Sequence, residues 1–231
     1  MNFNKVILIA YCLVASMDAL SWVLESTALH TFSKPLIMPL LIAAVINDIN
    51  LRKTFVTVHA ILLFAILLYW AGDTVVMINQ NISFVAALGL LLLGMIVSIY
   101  CFVISSEKFK LKPLLAIPYL AYGTIFYLVL RPYLGDFSSA TTVFSLIMVS
   151  MPFVAHCRKG HTTARSFSWV LIGSIILLVS NSIAGIDRFG LVSNTFTAVT
   201  SISTYAVAHW LMVNGILLHP IKQKEEEALA I

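Results

Sequence analysis

Residues 173–189 read GSIILLVSNSIAGIDRF. The run is apolar and of helical length, yet it carries Ser180, Asn181, Ser182 and Asp187. Polar groups at that density are tolerable on a half-wet helix and expensive in hydrocarbon, so the surrounding solvent decides how the stretch reads. Composition settles the solvent. Of the 231 residues 60% are hydrophobic and only 10% are charged, and the mean hydropathy is +0.98. A soluble globule carries roughly 45–50% apolar residues. The chain reads as an integral membrane protein.

Working outward from 173–189, apolar runs near the roughly 20 residues that cross a bilayer follow one another with short polar joints. The predicted spans are Val6–Leu24, Pro35–Asn47, Phe55–Ile78, Phe84–Ile104, Leu114–Leu130, Ser138–Ala155, Phe167–Ile186 and Thr195–Leu218. The expected fold is thus all-α, a bundle of about eight transmembrane helices. The second span is short and opens on a proline. Residues 1–219 form a single membrane domain, and IKQKEEEALAI closes the chain as a short tail over 220–231.

Lys and Arg are retained on the cytoplasmic side of short joints. With alternating spans, one side receives Lys5, Arg52, Lys53, Lys108, Lys110, Lys112, Arg158, Lys159, Arg165, Lys222 and Lys224. The other side receives Lys34, Arg131 and Arg188. Both termini are therefore expected in the cytoplasm, and a bacterial inner membrane is the expected location. The net charge of +4 is the basic rim of a membrane protein, facing anionic lipid rather than nucleic acid.

Other readings find less support. Asp18 and the length of the first span argue against a cleaved signal peptide. Cys12, Cys101 and Cys157 have no ligand or disulfide spacing, and the six histidines show no i, i+4 metal pair, so neither metal nor cofactor is expected. Of the histidines, only His209 lies deep. The seventh span holds no lysine for a retinal Schiff base, and Ser180 and Ser182 lack a G-x-S-x-G setting.

The ionisable groups at membrane depth are Asp18, Lys34, Asp73, Arg131, Asp187 and Arg188, all in the outer halves or at the outer ends of their spans. Asp18, Lys34 and Arg188 also suit plain structural or interfacial roles. Asp73 is the least comfortable of them, because an apolar turn lies beyond it. Counted at 1.5 Å per residue, Asp73 sits roughly 27 Å and Asn181 roughly 21 Å above the inner face. The two are expected to line one cavity, with Lys34 at its rim.

The motifs SKPLIMPLL, AGDTVVM, GLLLLGMIVSIY, GSIILLVSNSIAGIDRF and YAVAHWLMVNG, in that order, resemble the YhhN family of lysoplasmalogenase-like membrane proteins. The resemblance implies eight spans and a hydrolase that cleaves the vinyl ether bond of a lysoplasmalogen, releasing a fatty aldehyde and a glycerophospho-headgroup. It implies a lysolipid partner drawn from membrane lipid. Two carboxyl groups suit that chemistry: one protonates the vinyl carbon, the other stabilises the oxocarbenium and activates water. Asp73 is the first acid. Tyr100, Ser180, Ser182 and His209 enter as substrate contacts, with Lys34 meeting the phosphate.

Two positions depart from the family pattern. Asn181 stands where the resemblance expects the second aspartate, and Val97 where it expects a histidine. Three readings fit: a hydrolase in which Asp18 or Asp187 supplies the missing carboxylate, a non-catalytic relative that binds lipid or a partner, or a proton-coupled transporter. Asp187 is six residues from Asn181, roughly 240° around the helix. The transporter lacks support from any internal repeat.

Overall fold

A computed structural model describes residues 3–78 and 84–219. The tail expected over 220–231 lies outside them, with its Lys222 and Lys224. Among the described residues there are eight α-helices and no strands: α1 (Phe3–Val23), α2 (Thr27–Arg52), α3 (Thr57–Ile78), α4 (Phe84–Ile104), α5 (Ala116–Leu130), α6 (Ser138–Cys157), α7 (Ala164–Arg188) and α8 (Thr195–Leu217). Short 3-10 turns flank α5 on both sides. All eight helical segments are long and apolar enough to cross a membrane.

The largest departure from the sequence reading is α2. Expected as a short span from Pro35, it is a 26-residue helix that begins eight residues earlier. Ser26 caps it, its hydroxyl accepting from the Leu29 N–H at 3.4 Å. Polar residues His30, Ser33, Lys34 and Asp48 masked the run's true length. Pro35 and Pro39 lie inside the helix, where each proline removes a hydrogen-bond donor. The Pro35 carbonyl that Pro39 leaves unpaired is taken by the Trp70 indole N–H of α3 at 3.0 Å. In lipid such repair has to come from protein, because no water is present to supply it.

Seven helices close a ring in the order α1, α2, α3, α4, α6, α7, α8 and back to α1, while α5 packs outside against α6. Small residues set the closest approaches. A Cβ on Gly173 would sit 2.9 Å from the Ala208 carbonyl, and one on Gly215 would meet the Val170 backbone at the same distance. Bare α-carbons therefore let α7 and α8 approach closely, as membrane helices do when no hydrophobic force drives them together. Ser180 strengthens that seam, its hydroxyl donating to the Ser201 carbonyl at 2.7 Å while Ser201 returns a bond to the Ser180 carbonyl at 3.3 Å. Outward-facing Leu13, Phe64, Ile125 and Leu128 are more than half exposed and form part of the lipid-facing surface.

α8 starts on a capping box between Asn194 and Thr197. The Thr197 hydroxyl is also 3.2 Å from Asp187 Oδ1. Asp187 thus ties the end of α7 to the start of α8.

Candidate functional site

The ring is not filled by apolar side chains alone. α1 brings Asp18 from one wall, α2 brings His30, Ser33 and Lys34, α3 brings Tyr69 and Asp73, and α8 brings Tyr205 and His209. Because α1 and α3 run one way and α2 and α8 the other, Asp18 and Asp73 near the ends of their helices meet residues from the first turns of α2. These groups gather toward the end of the bundle where α1 ends and α2 begins.

Asp73 is 5% exposed. The Tyr205 hydroxyl donates to its Oδ2 at 2.8 Å, across the ring from α8 to α3. Lys34, Asp18 and His30 all lie within electrostatic range of its carboxylate. Asp18 is completely buried. Its Oδ1 lies 2.8 Å from His30 Nδ1 and 2.9 Å from the Ser33 hydroxyl, whereas its Oδ2 has no hydrogen-bond partner. A buried carboxylate oxygen left without a partner costs free energy on the order of 1–3 kcal/mol or more. Such an atom is a reason to look for a substrate.

Toward the middle of the membrane the interior continues as a cluster of rings. His209 is 1% exposed and lies edge-on to Tyr69 and Tyr205, with centroids 4.5 Å and 4.4 Å away. Its Nε2 has no partner. The Tyr69 hydroxyl is 3.3 Å from that of Ser98 on α4. Tyr205 precedes His209 by four residues, so both project from one face of α8. That spacing is visible in YAVAHW, but nothing in the sequence tells that Tyr205 reaches Asp73. Tyr205, Tyr69, Ser98, His30 and Ser33 were all missed as site residues.

The remaining predicted residues go elsewhere. Asn181 lies beside a different cavity, between α4, α5, α6 and α7, whose lining does not include Asp73. Ser180 is used in the α7–α8 seam. Ser182 bonds the Leu178 carbonyl and accepts from the Tyr122 hydroxyl of α5 at 2.8 Å. Successive residues 180, 181 and 182 thus serve three neighbours, as the 100° step of a helix requires. Tyr100 is 55% exposed on the outer surface of α4 and does not join the interior cluster. Asp187 is engaged with Thr197. No group of three or more metal-ligating side chains occurs among the described residues.

A charged group of another kind sits at the opposite end. Arg158, just past α6, is completely buried. Its guanidinium donates to the hydroxyls of Ser105, Ser106 and Ser166, each at 3.3 Å, and lies 5.7 Å from the Phe102 ring centre. Burial pulls its pKa down to about 10, so it remains charged at neutral pH.

Residues 29–216 match the model of the YhhN family. The chain belongs to the YhhN family. The match runs from the first turn of α2 almost to the end of α8, so it contains the interior cluster except for Asp18. No curated protein and no solved structure matches the chain. As a YhhN protein it is a multi-pass integral membrane protein.

Proposed function

We propose that this YhhN protein is a lysolipid hydrolase of the lysoplasmalogenase type, acting on a vinyl ether bond with Asp73 and Asp18 as its two carboxyl groups. The observation that carries the reading is the pairing of two buried carboxylates at one end of the ring. They lie within electrostatic range of each other and of Lys34, and Asp18 retains an unpartnered oxygen. Of the two replacements for a second acid at position 181, Asp18 is near Asp73 and Asp187 is committed to Thr197.

In this mechanism Tyr205 holds Asp73 Oδ2, leaving Oδ1 to carry the proton. Asp73 gives that proton to the β-carbon of the vinyl ether, and the α-carbon becomes an oxocarbenium ion. Asp18 offsets its positive charge at short range in a site without bulk water. Water adds to the α-carbon and returns one proton to Asp73. The hemiacetal then collapses to aldehyde and alcohol, so one water is consumed and the acid is regenerated. Lys34 receives the lipid phosphate from the rim. A bacterial inner membrane suits the charge distribution.

A second reading keeps the lipid and drops the reaction. It is favoured by Asn181, since the resemblance expects an aspartate there and Asn181 faces away from Asp73. Aldehyde release from lysoplasmenylethanolamine by the purified protein separates the two. Turnover is expected, and Asp73→Asn should lower it by about 10²- to 10⁴-fold, the usual worth of a positioned acid. Lysolipid binding without any aldehyde would favour the non-catalytic reading, and gain of turnover only in Asn181→Asp would return the second acid to α7.

A further inference from the structure

The cavity beside Asn181 has a chemistry of its own. It measures about 160 Å³, and its apolar walls are mainly Phe84, Leu88 and Leu91 of α4, Phe126 of α5 and Phe144 of α6. Thr141 and Ser145 from α6 and Asn181 and Arg188 from α7 interrupt that lining with polar side chains. Their burial is graded. Arg188 is exposed at the end of α7, with its guanidinium carbon 4.4 Å from the centre of the Phe84 ring, whereas Thr141 and Ser145 are only 7% and 5% exposed. Asn181 Nδ2 and Ser145 Oγ are buried without a hydrogen-bond partner. Among the described residues no acidic side chain lines the space. Asp187, next to Arg188 in sequence, is engaged with Thr197.

Each of these polar side chains can donate a hydrogen bond, and that of Arg188 carries a full positive charge. Donors with no acid facing them call for oxygen acceptors, and the guanidinium makes an anionic group the best match. The charge count sets its size. A monoanion leaves the cavity neutral, while a second negative charge would have to leave water for walls of Phe and Leu with no cation to meet it. Among monoanions a carboxylate fits the spacing. Thr141 and Ser145 are four residues apart on α6, so their side chains lie roughly 5–6 Å apart on one face. A carboxylate accepting at each oxygen bridges donors up to about 7–8 Å apart. We propose that this cavity is a second ligand site, which takes an aliphatic monocarboxylate. One oxygen accepts from Ser145 Oγ and Asn181 Nδ2, the other accepts from Thr141, and Arg188 supplies the balancing charge from the mouth. The alkyl chain lies among the Phe and Leu side chains. A cavity of about 150 Å³ accepts benzene, so the bound portion spans on the order of six to eight heavy atoms, the size of hexanoate. Ser145 also borders a smaller space toward Thr124 and Tyr127 of α5, which neither Asn181 nor Arg188 lines. The site is separate from the Asp73 cluster and does not depend on the hydrolase reading.

The test uses the full chain in lipid nanodiscs and a hexanoate bearing a diazirine on its chain. After irradiation, adducts are expected in residues 84–91, 126–130, 141–145 and 181–189. Unlabelled hexanoate should compete about 10- to 100-fold better than hexan-1-ol, the value of hydrogen bonds to a charged group, and hexylammonium should compete worst. Arg188→Gln should weaken labelling by a similar factor, and Arg188→Lys should keep most of it. Asn181→Asp nearly preserves shape and sets a negative charge against the carboxylate, so it should weaken labelling by about 10-fold or more. Aldehyde release and thermal unfolding, followed in parallel, distinguish loss of this site from loss of the Asp73 cluster or of the fold. Hexan-1-ol competing as well as hexanoate would overturn the proposal, because the charge would then play no part. So would full labelling of Asn181→Asp, adducts confined to other segments, or none at all in a well-folded protein. The competition arms rest on the unmodified chain and stand even where a variant fails to fold.

Discussion

The two ends of the ring bury charge in opposite ways. At the end carrying Arg158, one guanidinium is surrounded by three serine hydroxyls and a phenyl ring, drawn from α4, α7 and the segments beside them, with its Nη1 left without a hydrogen-bond partner. At the end carrying Asp73, two carboxylates, a lysine and a histidine share a small volume and leave Asp18 Oδ2 unsatisfied. Hydroxyls that converge on a single buried cation fasten helices together. An unpartnered atom is found at both ends; what sets the Asp73 end apart is that charges of both signs are held close, an arrangement for something that comes and goes. The difference separates structure from candidate chemistry more sharply than burial does, since Asp18 and Arg158 are equally buried.

The largest effect that tests this contrast is on activity. Asp18→Asn preserves shape and removes only charge, so it should cut aldehyde release by about 10²-fold or more with little change in thermal unfolding. Unchanged turnover in Asp18→Asn would remove Asp18 from the chemistry and leave it a structural partner of His30.

At the other end the order reverses. Arg158→Ala should lower stability by about 2–4 kcal/mol, the range for truncating a large buried side chain, read as a drop in unfolding temperature in detergent. Arg158→Met keeps much of the volume and removes an ion that has no carboxylate partner among the described residues. It should therefore cost much less, or stabilise. Equal damage from both variants would mean that the charge itself is needed there.

Smaller again is the repair of α2. Trp70→Phe leaves the aromatic bulk but removes the donor to the Pro35 carbonyl, and should cost about 1 kcal/mol in thermal unfolding. Trp70→Phe in a Pro39→Ala background should cost less, because an alanine in place of Pro39 offers its own N–H to the same carbonyl. Additive losses would show that the indole serves packing alone.

How much of this was legible beforehand follows from what hydropathy measures. Seven of the eight spans emerged with their ends displaced by only a few residues, because apolar length is a property of the chain itself. The start of α2 did not, since His30, Ser33 and Lys34 are polar for the sake of partners on α1 and α3. Asp73 stood out as an uneasy carboxylate, and His209 as a deep histidine. Their link through Tyr205 joins residues 132 positions apart, and helical period carries no information about which faces meet across a ring. Shared depth, together with the family resemblance, paired Asp73 with Asn181. Rotation about α7 turns Asn181 toward α4, α5 and α6, and equal height did not become contact.

The smallest expected effect probes the Arg158 end through its neighbour. His219 follows α8 and is 6% exposed, with Nδ1 accepting the Thr163 backbone N–H at 3.3 Å. Burial, and then the positive charge of Arg158, hold its pKa below the usual histidine value, while Glu107 pulls the other way. The folded protein therefore binds this proton less readily than the unfolded chain does. The stability that follows from the neutral ring is present above about pH 6.5, the unfolded value, and is lost as pH falls toward the folded one. Protonation at Nδ1 would also break the bond to Thr163. Unfolding temperature should thus decline between about pH 7.5 and about pH 5.5, and His219→Gln should flatten that decline. Arg158→Met should flatten it partly, by removing the nearest positive charge. A decline of the same slope in all three proteins would assign the pH dependence to other groups and leave His219 as a neutral acceptor at the end of α8.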